Sequence, residues 1–343
     1  NARKTYFIEG GVLKMKKGLL VVCILVLALT AVGCTPKATE GGSGEAEAPE
    51  VMQMVITTGG TSGSYFPMGG AIASVITNHV EGVSVTAQTS GGSTENLILI
   101  ERGECELGLA QNDAAEYAWK GIEMYSEKHN KPRAIATLYP ELVQIVARKD
   151  TGIKNIEDIK GHKVSIGAPG SGSEANARQY LNLLGIPYDS FQPQFLSNTD
   201  AADQFKDEII DCMILTSGLP SPALMDISTL TDVTVVGFTE EQAAKINREI
   251  PFLTPIKIPA GTYRGQDEDV LSVTVQAVLF ASEDIPEDIV YEITKALWEN
   301  KDELVQVIAK AENMDPKDPV KGVTIPVHPG ALKYYKEIGI EID

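Results

Sequence analysis

The sequence predicts an α/β protein of two lobes with a ligand cleft between them, and three observations carry that expectation. From Val51 onward, short apolar runs alternate with amphipathic stretches at helical spacing, the pattern of strands with covering helices. Three times such a run passes into a loop of Gly, Ser and Thr that opens a helix, at 58–64, 90–93 and 167–173. Late in the chain an apolar run at 273–280 reads as a strand returning to the first half. At ~150 residues per domain the 343 residues suffice for about two such units.

In chain order, the first lobe begins with a strand at 52–57, a glycine-rich turn and a helix at 68–78. A strand at 84–88, a helix at 95–102, a strand at 107–110 and a helix at 113–125 follow. After Pro132 a strand pair, 134–138 and 143–148, leads into the second lobe. That lobe reads as strand 163–167, helix 174–184, strand 194–196, helix 200–209 and strand 212–216, with further strands at 233–236 and 256–258. Helices at 286–298, 301–311 and 330–338 close the chain. The expected boundaries are 51–140 plus 260–343 for lobe 1 and 141–259 for lobe 2.

Charge narrows the partners. Lys and Arg number 29 against 47 Asp and Glu, a formal net charge of −18. No basic face is available to neutralise phosphates, so nucleic acid is excluded as a partner. The balance is uneven: residues 1–33 hold five bases and one acid, a basic start before an apolar run, as in export signals. Met15-Lys16-Lys17 reads as the true start, and 19–32 as the apolar core of a signal peptide. Those fourteen residues make only ~21 Å of helix, short of a ~30 Å hydrocarbon layer. Residues 1–14 then read as a misplaced translation start. Ala31-Val32-Gly33-Cys34 resembles a lipobox, with Cys34 as the lipidation site and cleavage just before it. Residues 35–50, rich in Gly, Glu, Ala and Pro, read as a flexible tether. The expected location is therefore extracytoplasmic, with membrane attachment through the lipid anchor only. Of the cysteines outside this segment, Cys105 and Cys212 read as buried small hydrophobes in different lobes rather than a disulfide.

The Gly/Ser/Thr loops carry the chemistry. In open α/β sheets ligands bind beyond the carboxyl ends of strands. Free N–H groups and the helix dipole favour an anion there, and hydroxyls add neutral hydrogen bonds. The candidate ligand-binding residues from the first loops are Thr61, Gly63, Ser64, Tyr65, Ser90, Gly91, Gly92 and Ser93. Gln111, Asn112 and Asp113 follow, placed to meet an ammonium or hydroxyl group. Gly170, Ser171, Gly172, Ser173, Ser217 and Gly218 would close from the other lobe, with Arg178 a possible helper. Each loop alone also fits a helix cap; Ser171 with Glu174 and Asp113 with Glu116 match capping boxes. Catalysis finds no support. There is no Gly-Lys pair for a P-loop and no nucleophile elbow, and His79, His129, His162 and His328 lack metal-ligand spacing. A G-x-G-x-x-A match at Gly170–Ala175 is too weak by itself to argue for a dinucleotide. The reading is of a non-enzyme with no cofactor and no metal.

At these residues the sequence resembles a known family. Gly59-Gly60-Thr61-Ser62-Gly63-Ser64-Tyr65-Phe66-Pro67 and Thr89-Ser90-Gly91-Gly92-Ser93-Thr94-Glu95-Asn96-Leu97 are similar to motifs of the TAXI family of TRAP-transporter solute-binding proteins. So are Gly108-Leu109-Ala110-Gln111-Asn112-Asp113, Tyr139-Pro140-Glu141, Gly170-Ser171-Gly172-Ser173-Glu174 and Val327-His328-Pro329-Gly330-Ala331. The resemblance implies a two-lobed type II periplasmic-binding-protein fold with the ligand cleft between the lobes. It implies a lipid-anchored receptor that captures a small anionic or zwitterionic ligand, glutamate-like or a dicarboxylate. The partner would be an integral-membrane TRAP permease. A sensory module serving a membrane kinase is the alternative from a different class.

Overall fold

The computed structural model describes residues 51–342; the signal, lipidation and tether expectations for 1–50 lie outside the described residues. The order opens β1 (Met52–Thr57), α1 (Tyr65–His79), β2 (Val83–Gln88), α2 (Ser93–Arg102), β3 (Leu107–Gln111) and α3 (Asn112–Lys120). Then come β4 (Pro132–Arg148), β5 (Lys163–Ser165), α4 (Gly172–Leu183), β6 (Gln192–Gln194), α5 (Asn198–Lys206) and β7 (Cys212–Gly218). The chain continues through α6 (Pro222–Leu230), β8 (Val233–Val236), α7 (Glu240–Glu249), β9 (Thr254–Ile258) and β10 (Val270–Ser282). It closes with α8 (Glu287–Glu299), α9 (Lys301–Val307) and α10 (Pro329–Glu337).

All ten strands join one sheet in the order β2-β1-β3-β10-β4-β7-β5-β6, with β8 added to β4 and β9 to β10. The outer pairs β1–β2, β1–β3, β5–β6 and β5–β7 are parallel. The centre is antiparallel, because β10 and β4 run past each other and against β3 and β7. The largely parallel sheets expected from the βα alternation are thus joined by a mixed centre. The expected strand pair at 134–148 is one strand of 17 residues; the Pro140-Glu141 step does not break it. Pro140 has no N–H to give a ladder, yet β4 still pairs with β10 across it, from Pro140 opposite Gln276 to Leu142 opposite Thr274.

Two buried clusters fill each half, one on each sheet face. In the first half Met54, Ile56, Met68, Ile72, Ile76 and Val290 pack together, and Leu97, Ile100, Ala114 and Phe280 form the opposite layer. In the second half Ile145, Val164, Tyr180 and Ile214 pack on one face, while Val146, Phe205, Leu215 and Leu224 pack on the other. Ile145 and Val146 are consecutive, so β4 shows the two-residue alternation of a strand buried on both faces. β10 changes halves part-way along. Val273 and Val275 lie in a second-half cluster, whereas Ala277, Leu279 and Ala281 lie in a first-half cluster. Tyr263 also packs in the second half. Along β10 the buried side chains thus pass from a second-half cluster to a first-half cluster on either side of Gln276.

Other differences from the sequence reading are local. α6 and α7 have no counterpart in it, although α7 opens with a readable capping box, Thr239 with Gln242. The expected helix at 113–125 ends at Lys120, where Gly121 takes a left-handed conformation with φ +67°. Cys105 and Cys212 are buried free thiols, and burial pushes the Cys105 thiol up to about 11. Among the described residues no helix is long and apolar enough to cross a membrane.

Candidate functional site

Five helix N-termini converge on one cavity. α1, α2 and α3 bring Gly59, Gly60, Gly63, Ser64, Tyr65, Ser90, Gly91, Gly92, Ser93 and Gln111 from the first half. α4 and α5 bring Ala168, Ser171, Gly172, Ser173, Ser197 and Asn198 from the second, with Glu141, Thr216 and Ser217 from the central strands. The volume is about 170 Å³, below the ~300–1,000 Å³ typical of drug-sized sites and suited to a metabolite of few heavy atoms.

Local chemistry explains the shape. β1 and β3 end side by side, and Asn96, wholly buried on α2, ties their ends together. Its Nδ2 donates to Thr58 O at 2.6 Å and Leu109 O at 2.7 Å, and its Oδ1 accepts from Ser90 Oγ at 2.6 Å. Gly92, the N-cap of α2, sits at φ +111°, where a side chain would be strained. α1 and α2 have no side-chain cap, so their first-turn N–H groups remain open to an acceptor. α4 and α5 differ: Ser171 Oγ accepts from Glu174 N at 3.1 Å and Ser197 Oγ from Asp200 N at 3.1 Å. The serines on the second half therefore serve partly as caps.

The halves also bond directly to each other. Ser64 and Ser217 hydroxyls lie 3.0 Å apart, and Thr199 Oγ1 donates to Ser62 Oγ at 2.8 Å. Asn176 Nδ2 donates to Asp113 Oδ2 at 2.6 Å. Gly172 passes so close to Gln111 that a Cβ there would lie 2.0 Å from Oε1.

The sequence-predicted residues divide accordingly. Gly63, Ser64, Tyr65, Ser90, Gly91, Gly92, Ser93, Gln111, Ser171, Gly172, Ser173 and Ser217 line the cavity. Thr61 and Gly170 are exposed on its rim side and do not line it. Asn112 is structural: its Nδ2 donates to Gly322 O at 2.8 Å and its Oδ1 accepts from Gln276 N at 2.9 Å. Asp113 faces Asn176 rather than the cavity, and α3 is capped from Gln111 with no side-chain bond, so the expected Asp113–Glu116 capping box does not form. Burial pushes the Asp113 carboxyl up to about 6. Gly218 pairs in register with Glu141 under the Lys310 side chain. Arg178 is engaged by Glu123 and Glu174 and is remote from the cavity lining.

Gly59, Gly60, Ala168 and Thr216 line the cavity without being candidates from sequence, as do Ser197, Asn198 and Glu141, the last named only within the Tyr139-Pro140-Glu141 motif. Ser197-Asn198 opens α5, and the Ser197–Asp200 spacing is a readable cap signal. Glu141 carries the larger consequence. Its signal is a charge in the middle of a strand whose other charges, Arg133 and Arg148, lie near its ends. It is buried, 3% exposed, and accepts from Tyr65 Oη at 2.7 Å. Desolvation pushes its carboxyl up to about 8, and the Asp113 charge adds to the rise, against the pull of Tyr65, Gln111 and Lys310. Tyr65, one of the expected ligand-binding residues, has its hydroxyl held by Glu141, with Ser93 Oγ at 3.4 Å. Among the described residues no Lys, Arg or His lines the cavity.

The NMT1-like family model matches residues 56–339, and the chain belongs to that family. Among solved structures, MatC from Rhodopseudomonas palustris with bound malate superposes with a TM-score of 0.55 at 16% identity, over 84% of this chain and 97% of that one. The periplasmic binding protein BugD gives 0.51 at 13% identity, over 77% and 85%. A Bordetella bronchiseptica RB50 protein gives 0.51 at 17%, over 84% and 83%. The fold is the two-lobed α/β arrangement of these periplasmic binding proteins.

Proposed function

We propose that this member of the NMT1-like family is an extracytoplasmic solute-binding protein that captures a small organic anion or amino acid and delivers it to a membrane transporter. One observation carries the reading: a single small cavity is walled by helix N-termini from both halves of a hinged sheet. Such walls suit a carboxylate, because two uncapped helices, α1 and α2, present N–H groups and the positive end of their dipoles. They suit capture by closure, because the halves touch through few polar pairs and are linked by β4 and β10. Lobe 1 in this reading is 51–140 plus 260–343, and lobe 2 is 141–259. Nothing lining the cavity resembles a nucleophile with its base, so the protein is read as a non-enzyme.

The finer assignment is a TRAP-type transporter and a glutamate-like or dicarboxylate ligand, supported by the order of the TAXI-like motifs along the chain. Anchoring through Cys34, with residues 35–50 as tether, completes it. Energetically a Kd of 1 μM needs about −8 kcal/mol. Several charge-assisted hydrogen bonds at roughly 1.5–3 kcal/mol each reach that after ordering costs. Calorimetric titration with amino acids, 2-oxo acids and C4-dicarboxylates is the test. Saturable binding by one class supports the reading; silence across the panel from folded protein sinks it.

A further inference from the structure

The polar groups at the floor of the cavity are mostly acceptors, and they narrow the ligand further than an anion-binding wall does. Among the described residues Glu141 is the only carboxyl in the lining. One of its oxygens takes the Tyr65 hydroxyl. Beside it the Gln111 Oε1 is buried, on a residue 2% exposed, and has no hydrogen-bond partner. A buried acceptor without a donor is costly, on the order of 1–3 kcal/mol. Among the described residues no cationic side chain lines the cavity to meet either group. The nearest, Lys310, donates its Nζ to Pro220 O at 2.7 Å instead. In the empty site the Glu141 proton is the donor beside the Gln111 oxygen; a ligand that brings its own cationic donor can replace that proton and leave Glu141 ionised.

We propose that Glu141, with Gln111 Oε1, is the specificity-determining subsite that receives the ammonium of a zwitterionic ligand whose carboxylate lies at the N-termini of α1 and α2. An ammonium has three donors and no acceptor, matching a carboxylate and an amide oxygen. A 2-oxo acid brings only an acceptor, which the floor meets while Glu141 keeps its proton, and a 2-hydroxy acid brings a single neutral donor; neither supplies the positive charge that lets Glu141 ionise. This deepens the solute-binding reading and rests on it.

Protonation gives a second signature. In the empty site desolvation favours the neutral acid, so at pH 7 Glu141 carries its proton. The ionisable groups around it are Tyr65 from α1, Tyr139 on its own strand, Asp113 from α3 and Lys310 from the turn after α9. An arriving ammonium favours the carboxylate, so the proton leaves to solvent as the ligand binds. Affinity for the zwitterion then rises as pH goes up from 6 to 8. A dianion binding near a charged Glu141 shows the opposite slope.

The experiment is titration calorimetry on three matched pairs, L-glutamate with 2-oxoglutarate, L-aspartate with L-malate and L-alanine with L-lactate. Each is run at pH 7 in buffers of different ionisation enthalpy. The expected result is that the tightest-binding pair favours the amino acid by at least tenfold, with release of up to one proton per site. Glu141→Gln keeps the acceptor for Tyr65 and removes the charge. It is expected to cost the amino acid at least tenfold, abolish proton release and leave the oxo or hydroxy acid within about threefold, with an undiminished melting temperature as the folding control. Equal or tighter binding of the oxo or hydroxy acid overturns the ammonium subsite while leaving a solute-binding protein. That comparison uses the unsubstituted protein and does not depend on how the variant folds. Silence from all six probes and from the wider metabolite panel removes the solute-binding reading and the subsite with it.

Discussion

Gly172→Ala tests whether the two halves must meet for binding. Gly172 is the first residue of α4, and its φ is not in the left-handed region, so alanine fits its backbone and suits a helix start better than glycine. The obstacle is tertiary. The new Cβ would lie 2.0 Å from Gln111 Oε1, 2.4 Å from Cδ and 2.9 Å from Nε2, where ordinary contact begins at 3.4 Å. Rotating the amide does not clear all three atoms, and Gln111 is buried on the facing half, 2% exposed. The halves must therefore part by about 1.4 Å, or the Gln111 side chain must leave its place, at the ~1–3 kcal/mol typical of overpacking. At 1.4 kcal/mol per tenfold, that weakens ligand affinity roughly 5- to 150-fold. Calorimetric Kd for the best-binding amino acid, with the melting temperature of ligand-free protein alongside, reads both sides of the argument. Unchanged affinity, or a loss matched by an equal loss of ligand-free stability, refutes the claim that contact across the cleft is part of binding.

Asp113→Asn removes a buried carboxyl that burial holds at about 6 against an ordinary 3.8. A raised acid gives stability that is intact below the unfolded pKa and is lost as pH rises through the folded one. The variant is therefore expected to gain on the parent between about pH 4 and 7, by about 3 kcal/mol at full ionisation. Urea unfolding of both proteins at pH 4.5 and 7.5 checks the widening gap, and a gap that narrows with pH contradicts the raised carboxyl. Asn96→Ala takes one donor from Thr58 O, which keeps Ser90 Oγ, and one from Leu109 O, and removes the acceptor of Ser90 Oγ; a loss of about 2 kcal/mol is expected from denaturant unfolding. Ser171→Ala removes the α4 cap and is expected to cost about 1 kcal/mol in the same assay. Gly70→Ala, on an exposed face of α1 with open space around its Cβ, is expected to stabilise by about 0.5–1 kcal/mol.

The chain's local order was legible because it depends on neighbours in sequence. Short apolar runs gave β1, β3 and β7, and Gly/Ser loops after strands gave the starts of α1, α2 and α4. The convergence of those loops followed from a rule of α/β sheets, that they sit at the carboxyl ends of parallel strands. What sequence could not supply was the environment each polar side chain meets. Asn112 and Asp113 stand in a cavity-edge motif, yet one bonds Gly322 and Gln276 and the other bonds Asn176, because α3 turns them toward the opposite side. The single sheet arises only when β4 and β10, more than 100 residues apart in the chain, lie side by side. Glu141 is the sharpest case. On paper it is one of 47 acids; in the fold, low-dielectric surroundings hold its proton and place it at the cavity floor. A residue's type and spacing are set by the chain, but its desolvation and its neighbours in space are set by packing, and those decide its charge.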